Sequence, residues 1–421
     1  MKNLPKMCSP AAGTIKEFAL VRLMDKLIQN IDKSINSNSP PFISYIVGNN
    51  GAGKSRILAK VCEHYNNPEH NYVSSILCIS NSVTDKFNYL AKYKSKYLGA
   101  RSVNNAIFWS SLDRDIAKQV CAGIRHGKRK YFGKLQDSLG IDFFISFPKA
   151  IDRESITKDN LASLVDKRKL KHTKITEKIS LAGRNWLARA VRGRIEISKV
   201  PIDRGIDLLN FLDLNPEVIA EVSKGNEFLR FHDLSSGEQN RISMALKILA
   251  NATPNIIILI DEPELSLHLQ WQAEFHDFLC NVTDDLSHYH IVIATHSPVI
   301  VTEATKGQRA DAILIIENSD NSQEEGDNLD KLQCQVASAD SIKSFEYAIL
   351  DYFKLATYNT PSFDMKIAEL VLEAIEDNQD TSNKILKLEE LQQIKNLPKP
   401  TNQVILEALE LIRKHFIRDE R

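Results

Sequence analysis

Four short stretches hold residues whose types and spacing can do chemistry. Gly48-Asn49-Asn50-Gly51-Ala52-Gly53-Lys54-Ser55 has the spacing GxxxxGK[ST]. Its glycines let backbone wrap a phosphate, with N–H groups at a helix start pointing inward. Lys54 offers a cation to terminal phosphates, and Ser55 a hydroxyl to Mg²⁺. Asp261-Glu262-Pro263 places two carboxylates directly after the apolar run Ile256–Ile260. In Leu234-Ser235-Ser236-Gly237-Glu238-Gln239, Ser235 and Glu238 stand three apart, the spacing of a capping box, so a helix starts there with its N–H groups organised. Finally, His296-Ser297-Pro298 follows the apolar run His290–Thr295. Phosphate holders, strand-end carboxylates and a histidine form a set suited to acting on a phosphate.

These residues need a scaffold, and the apolar pattern predicts one. Ile256–Ile260 is a continuous apolar run too short for a helix, which predicts a strand buried on both faces of a parallel sheet. Its carboxylates then sit at a strand's C-terminal end, where open α/β sheets bind ligands. Phe42–Val47 predicts a strand feeding the glycine loop, and Ser75–Ser80, His290–Thr295 and Ala312–Ile316 predict three more. His296 can thus reach the same sheet edge. Ile242, Ala245, Leu246 and Leu249 share one helical face after Ser235. A helix is expected around Glu17–Ile35, followed by the turn chemistry of Asn36–Pro41.

Between the two halves of this scaffold the chain reads as helical and basic. Arg125, Lys128, Arg129, Lys130 and Lys134 cluster first. From Lys167 to Arg204 come Lys167, Arg168, Lys169, Lys171, Lys174, Lys178, Arg184, Arg189, Arg192, Arg194, Lys199 and Arg204, opposed only by Glu177, Glu196 and Asp203. Such a cluster could meet phosphates of a nucleic acid, or be a solvated face. Asp113 and Asp115 read as part of a solvated helix face. Asn318–Asp330 is acidic and reads as an exposed loop, and from Ser338 the pattern turns helical, with Ile342, Phe345, Ile349, Tyr352 and Phe353 on one face. A last amphipathic helix is expected near Asn402–Ile417.

Composition bounds the class. With 421 residues the chain can form two or three domains, and 54 basic residues balance 54 acidic ones, so overall charge selects no partner. The six cysteines lack any CxxC spacing, and Cys78 lies in an apolar run, which suggests reduced thiols. No apolar stretch reaches about 18 residues. A cytoplasmic protein without membrane contact is expected.

The ordered set Gly48–Ser55, Leu234–Gln239, Ile256–Glu262 and Thr295-His296-Ser297 resembles the ATP-binding cassette (ABC) ATPases. In that family these are Walker A, the signature, Walker B with its catalytic glutamate, and the switch histidine. Asp261-Glu262-Pro263-Glu264 with Leu267-His268 is similar to the soluble SMC, RecF and OLD branch, among which the ATPases of Septu, PARIS and retron-associated antiphage systems are the type most alike. The resemblance implies an α/β ABC-type head, a mostly parallel sheet flanked by helices, with a helical lid insertion and a helical C-terminal region. The boundaries it suggests are 1–110 for the first part of the head and 111–228 for the basic insertion. The second part of the head is then 229–335, and the C-terminal region 336–421.

By the same resemblance ATP is bound by Gly48, Asn49, Asn50, Gly51, Ala52, Gly53, Lys54 and Ser55, and by Ser235, Ser236, Gly237 and Glu238 of a second head. Ser55 and Asp261 hold Mg²⁺, Glu262 polarises the attacking water, and His296 contacts the γ-phosphate. Lys54, Glu262 and His296 form the catalytic set. The implied activity is ATP hydrolysis, with head dimerisation regulating an effector, a nuclease or toxin encoded nearby, in antiphage defence. The alternative is a DNA-repair or chromosome-associated ATPase. The implied partners are a second copy, or more, through the heads, an effector protein, and nucleic acid at the basic insertion. Three features depart from the cassette pattern: His268 replaces a usual aspartate, no glutamine follows Ser75–Ser80 closely, with Gln119 late and Asn81 or Asp85 as substitutes, and no adenine-stacking aromatic can be named.

Overall fold

The computed structural model describes residues 13–337 and 361–419, apart from breaks of which the longest are 100–108, 126–132 and 319–331. The first basic cluster, the acidic stretch 319–330 and the helical pattern after Ser338 fall outside the described residues, or have side chains that do.

The apolar runs pair as a seven-stranded sheet. Its strands are β1 (Ile43–Val47), β2 (Ser75–Ser80), β3 (Ser95–Tyr97), β8 (Ile256–Asp261), β9 (Tyr289–Thr295), β10 (Ala310–Asn318) and β11 (Leu332–Ala337). Their order is β11-β10-β1-β9-β8-β2-β3. Six strands run parallel and β11 closes one edge antiparallel to β10. The unbroken apolar runs are explained by cover on both faces. Alternate residues of β8 show it: Ile257 and Leu259 pack with Leu27, Ile31, Ile57 and Val61 of helices α1 (Gly13–Ser37) and α2 (Lys54–Tyr65). Ile256, Ile258 and Ile260 face a larger core with Ile242, Leu246, Phe275 and Ile300.

Register matters most for the site. Val47 of β1 pairs with Thr295 of β9, and Ala294 pairs with Asp261 of β8. Three neighbouring strands therefore end level, and the glycine loop, His296 and the carboxylates leave the sheet side by side.

The insertion differs from an all-helical reading. After helix α3 (Trp109–Arg125) come β4 (Asp142–Ser146), β5 (Ile195–Glu196), β6 (Ile219–Lys224) and β7 (Glu227–Arg230), which form a second, antiparallel sheet in the order β5-β4-β6-β7. Short helices lie between, including Leu181–Ala190 and Ile202–Asp213. Phe143 and Ile145 of β4 are buried, bounded by Gly140 and Pro148. Asp113 is also buried, because α3 packs against helix Ile202–Asp213 and the helix Ser236–Asn251. Only Asp115 of that pair lies on an exposed face.

The helices Pro361–Glu376, Thr381–Gln392 and Lys399–Asp419 pack on one another around a core of their own, with Ile367, Leu370, Leu388, Ile405 and Ile412. No described helix is long and apolar enough to cross a membrane.

Candidate active site

The glycine loop is built where backbone must come close. A Cβ on Gly48 would lie 2.5 Å from the carbonyl oxygen of Ile316 in β10, so only glycine lets β1 turn out beside that strand. Gly53, the residue before α2, has φ +89°, a left-handed conformation that favours glycine. Ala52 N–H donates to the Asn49 carbonyl at 3.1 Å and closes the turn. Lys54 begins α2, is buried, and donates from Nζ to the Gly48 carbonyl at 2.8 Å and the Asn49 carbonyl at 3.1 Å. Burial pushes its ammonium pKa down, while Glu264, Glu262 and Asp261 hold it up. The cation thus faces three carboxylates from the neighbouring turn. Asn50 lies outside the described residues.

Ser55 follows on the first turn of α2, and its hydroxyl donates to Asp261 Oδ1 at 3.1 Å. This contact joins the loop to the end of β8, although the two residues are far apart in sequence. Asp261 is 1 % exposed, and its second oxygen, Oδ2, is buried without a hydrogen-bond partner among the described residues. Burial raises its carboxyl pKa to about 7, against the opposing Ser55 hydrogen bond. A buried carboxylate oxygen left without a donor, beside a serine hydroxyl, suits a hard cation with oxygen ligands. Mg²⁺ fits this donor set.

Glu262 is the next residue, half-buried, with φ 49°. A non-glycine residue in that region is uncommon, and strain of this kind gathers at functional sites. The conformation is held because Glu262 N–H donates to the Ala294 carbonyl of β9 at 2.9 Å. The chain turns sharply as it leaves β8, with Pro263 and Glu264 buried after it.

His296 is brought to this turn by Glu264. One oxygen, Oε1, accepts from the His296 backbone N–H at 2.7 Å and lies 2.8 Å from Nδ1 of its ring. That carboxylate raises the imidazole pKa, against the opposing effect of burial. The ring is accordingly oriented and kept protonated to higher pH than a free histidine. Glu264 was not among the site residues expected from the sequence. It stood in plain view as the third carboxylate of Asp261–Glu264, but its partner is 32 residues away.

Ser235, Ser236, Gly237 and Glu238 form the expected capped helix start. Glu238 N–H donates to Ser235 Oγ at 3.3 Å, while Glu238 Oε2 accepts from Ser235 N–H at 3.1 Å and from its hydroxyl at 2.8 Å. Gln239 fixes the approach, donating to the carbonyls of His232 and Leu234 at 3.1 and 2.7 Å. Lys224, at the end of β6, forms an ion pair with Glu238 that sequence reasoning missed. Ser235 and Ser236 are exposed, and the side-chain hydrogen bonds of Ser235 stay within its own turn. The structure therefore unites Lys54, Ser55, Asp261, Glu262 and His296 around one sheet edge, and presents the capped serine turn outward. In the cassette's glutamine position, Asn81 lies outside the described residues. Asp85 is buried after β2, accepting from Phe87 N–H at 3.1 Å and the Tyr97 hydroxyl at 2.7 Å.

A family model described as "AAA domain, putative AbiEii toxin, Type IV TA system" matches residues 90–302, just over half of the 421 residues. The chain belongs to this family. It is a P-loop ATPase of the AAA/ABC-like class. The match takes in the serine turn, the carboxylates and His296, while the glycine loop lies before it, so loop and family point to nucleotide chemistry independently. Comparison with curated proteins gives no match.

Proposed function

We propose that the chain hydrolyses ATP with Mg²⁺ and that the nucleotide cycle joins two heads to regulate an effector in antiphage defence. The observation that carries the chemistry is the Ser55–Asp261 contact at 3.1 Å, which puts a phosphate loop and a buried carboxylate with an orphan oxygen at one point. Lys54 exchanges its loop carbonyls for oxygens of the terminal phosphates, a cation already desolvated and aimed. Ser55 and Asp261 would hold Mg²⁺, which would supply charge stabilisation to the phosphates. Glu262, fixed in its turn by the β9 carbonyl, orients a water and takes its proton. His296, held by Glu264, donates to the phosphoryl oxygens as negative charge develops. Positioning and charge supply most of the catalysis in such transfers.

Ser235 and Gly237 act on the second copy's nucleotide. Ser235 and Ser236 are exposed over a buried Gly237 and the helix N-terminus favours anions, while the side-chain bonds of Ser235 stay within its own turn. Two heads arranged head to tail would each complete the other's site. The toxin–antitoxin wording of the family description supports a defence setting, in which a separate effector is switched by head closure.

Two substitutions test the chemistry. Lys54→Ala should abolish nucleotide binding. Glu262→Gln should retain binding but lower turnover by roughly 10²-fold or more, the usual worth of a general base. Undiminished turnover in Glu262→Gln would overturn the mechanism. Sizing Glu262→Gln with and without ATP tests the two-head arrangement: an ATP-dependent dimer, lost in Ser235→Arg, is the expected result.

A further inference from the structure

Two cysteines that the proposed chemistry leaves unused meet beneath the phosphate loop. Cys62 lies on α2, the helix that begins with Lys54 and Ser55, and Cys78 lies on β2, the strand beside β8. Their sulfurs are 3.5 Å apart. Both are buried, Cys78 at 2 % and Cys62 at 7 % exposure, so Cys62 is the less enclosed residue of the two. The two also differ in acidity. The hydrogen bond shared with Cys78, and one with Ser95, pull the Cys62 thiol below its usual value against the opposing effect of burial, while the same contact and burial push Cys78 up. Thiolate character and access together decide which cysteine an oxidant attacks.

We propose that Cys62 and Cys78 are a modification site for hydroperoxides, closing to a disulfide that ties the phosphate-loop helix to β2. The Cys62 thiolate attacks one peroxide oxygen, an S–O bond forms and the O–O bond breaks. The departing hydroxide takes a proton and leaves as water. Cys62 is now a sulfenic acid, oxidised by the two electrons the peroxide gained. Cys78 then attacks the Cys62 sulfur, the S–S bond forms and the S–O bond breaks. The second hydroxide leaves with the Cys78 proton as water. Two thiols and one hydrogen peroxide give one disulfide and two waters.

A disulfide holds its sulfurs at about 2 Å, against 3.5 Å between them here, so closure fixes α2 to β2 in one geometry. Lys54 and Ser55 lie two turns up the same rigid helix, and displacements near 1 Å are costly in such sites. The cross-link should therefore weaken nucleotide binding, and reduction should restore it.

The test uses the full chain treated with hydrogen peroxide under native conditions, then digested without reductant. Mass spectrometry should find the Cys62 and Cys78 peptides joined, with the link removed by dithiothreitol. Cys121, wholly buried, and Cys280 serve as internal references. In Cys78→Ser, oxidation should stop at a Cys62 sulfenic acid that dimedone traps. Binding of a fluorescent ATP analogue should weaken roughly tenfold on oxidation. The affinity of the untreated protein, measured first, tests the nucleotide reading separately. No linked peptide, or dimedone labelling that favours Cys121 or Cys280 over Cys62, overturns the proposal. A complete cross-link with unchanged affinity overturns its regulatory part.

Discussion

At the scale of single residues, the site gathers charge that would not gather without a ligand to meet. Lys54, Asp261, Glu262, Glu264 and His296 interact within one buried to half-buried corner. Glu264 is the residue whose contribution can be isolated. Its carboxylate lifts the His296 pKa above the ordinary value of about 6.5, so the imidazolium persists to higher pH. Turnover that needs charged His296 should hold below that raised value and fall as pH rises through it. Glu264→Gln removes the largest cause and leaves burial, which lowers the pKa. The alkaline limb of the kcat profile should therefore move to lower pH, with nucleotide affinity little changed. The stability due to the pair has the same sign: fully present below the unfolded histidine's pKa and lost as pH rises through the folded one. An alkaline limb that stays in place in Glu264→Gln would show that His296 acts without its partner.

At the scale of elements, what was legible in the sequence was what local pattern alone decides. β1, β2, β8 and β9 are five to seven residues of nearly unbroken apolar character, a signal that needs no tertiary context. β4 was missed for the opposite reason. Phe143, Phe144 and Ile145 sit between Gly140 and Pro148, a readable strand signal, but the basic stretch around them reads as solvated helix. β5 has two residues and β3 has three, and both exist only because a neighbour pairs with them. β6 and β7 matter for the site, since their hairpin places Lys224 against Glu238. That ion pair grips the side chain that completes the cap of the helix Ser236–Asn251, and it pulls the Glu238 carboxyl pKa down. Lys224→Glu would put like charges together and release the cap. Loss of a helix cap costs about 1 kcal/mol, so urea unfolding should move by about that amount. ATP-dependent association should weaken more than nucleotide binding to the isolated head. Equal effects on both would remove the hairpin from any part in joining heads.

At the scale of the whole molecule, balanced charge hides an uneven surface. The chain has 54 bases and 54 acids, yet the insertion holds a run of bases that local acids do not match. The structure sorts them. Arg194 donates to both oxygens of Glu221 at 3.1 to 3.2 Å and lies over the Phe228 ring, and Arg204 and Lys199 pair with Asp207 and Glu196. Arg192 donates to the Ile156 carbonyl. Of these, the Arg194 and Arg204 pairs reach the more buried carboxylates, Glu221 and Asp207, and reversing those two arginines should destabilise the insertion. Lys167, Arg168, Lys169, Lys174, Lys178 and Arg189 are exposed, as Arg192, Arg194 and Lys199 are, but their charge is not taken up by these contacts, and they are the ones placed to meet phosphates. If this face binds nucleic acid, each neutralised phosphate releases counterions, and log K falls with log salt by roughly 0.9 per contact on a duplex. Changing these six to Glu should abolish binding while thermal stability and ATP turnover persist. Arg194→Glu should instead lower thermal stability through loss of the Glu221 pair. Binding to a short duplex, followed by anisotropy across a salt series, separates the outcomes: a flat salt dependence, or a six-site variant that binds as before, would leave this face as a surface for protein contact.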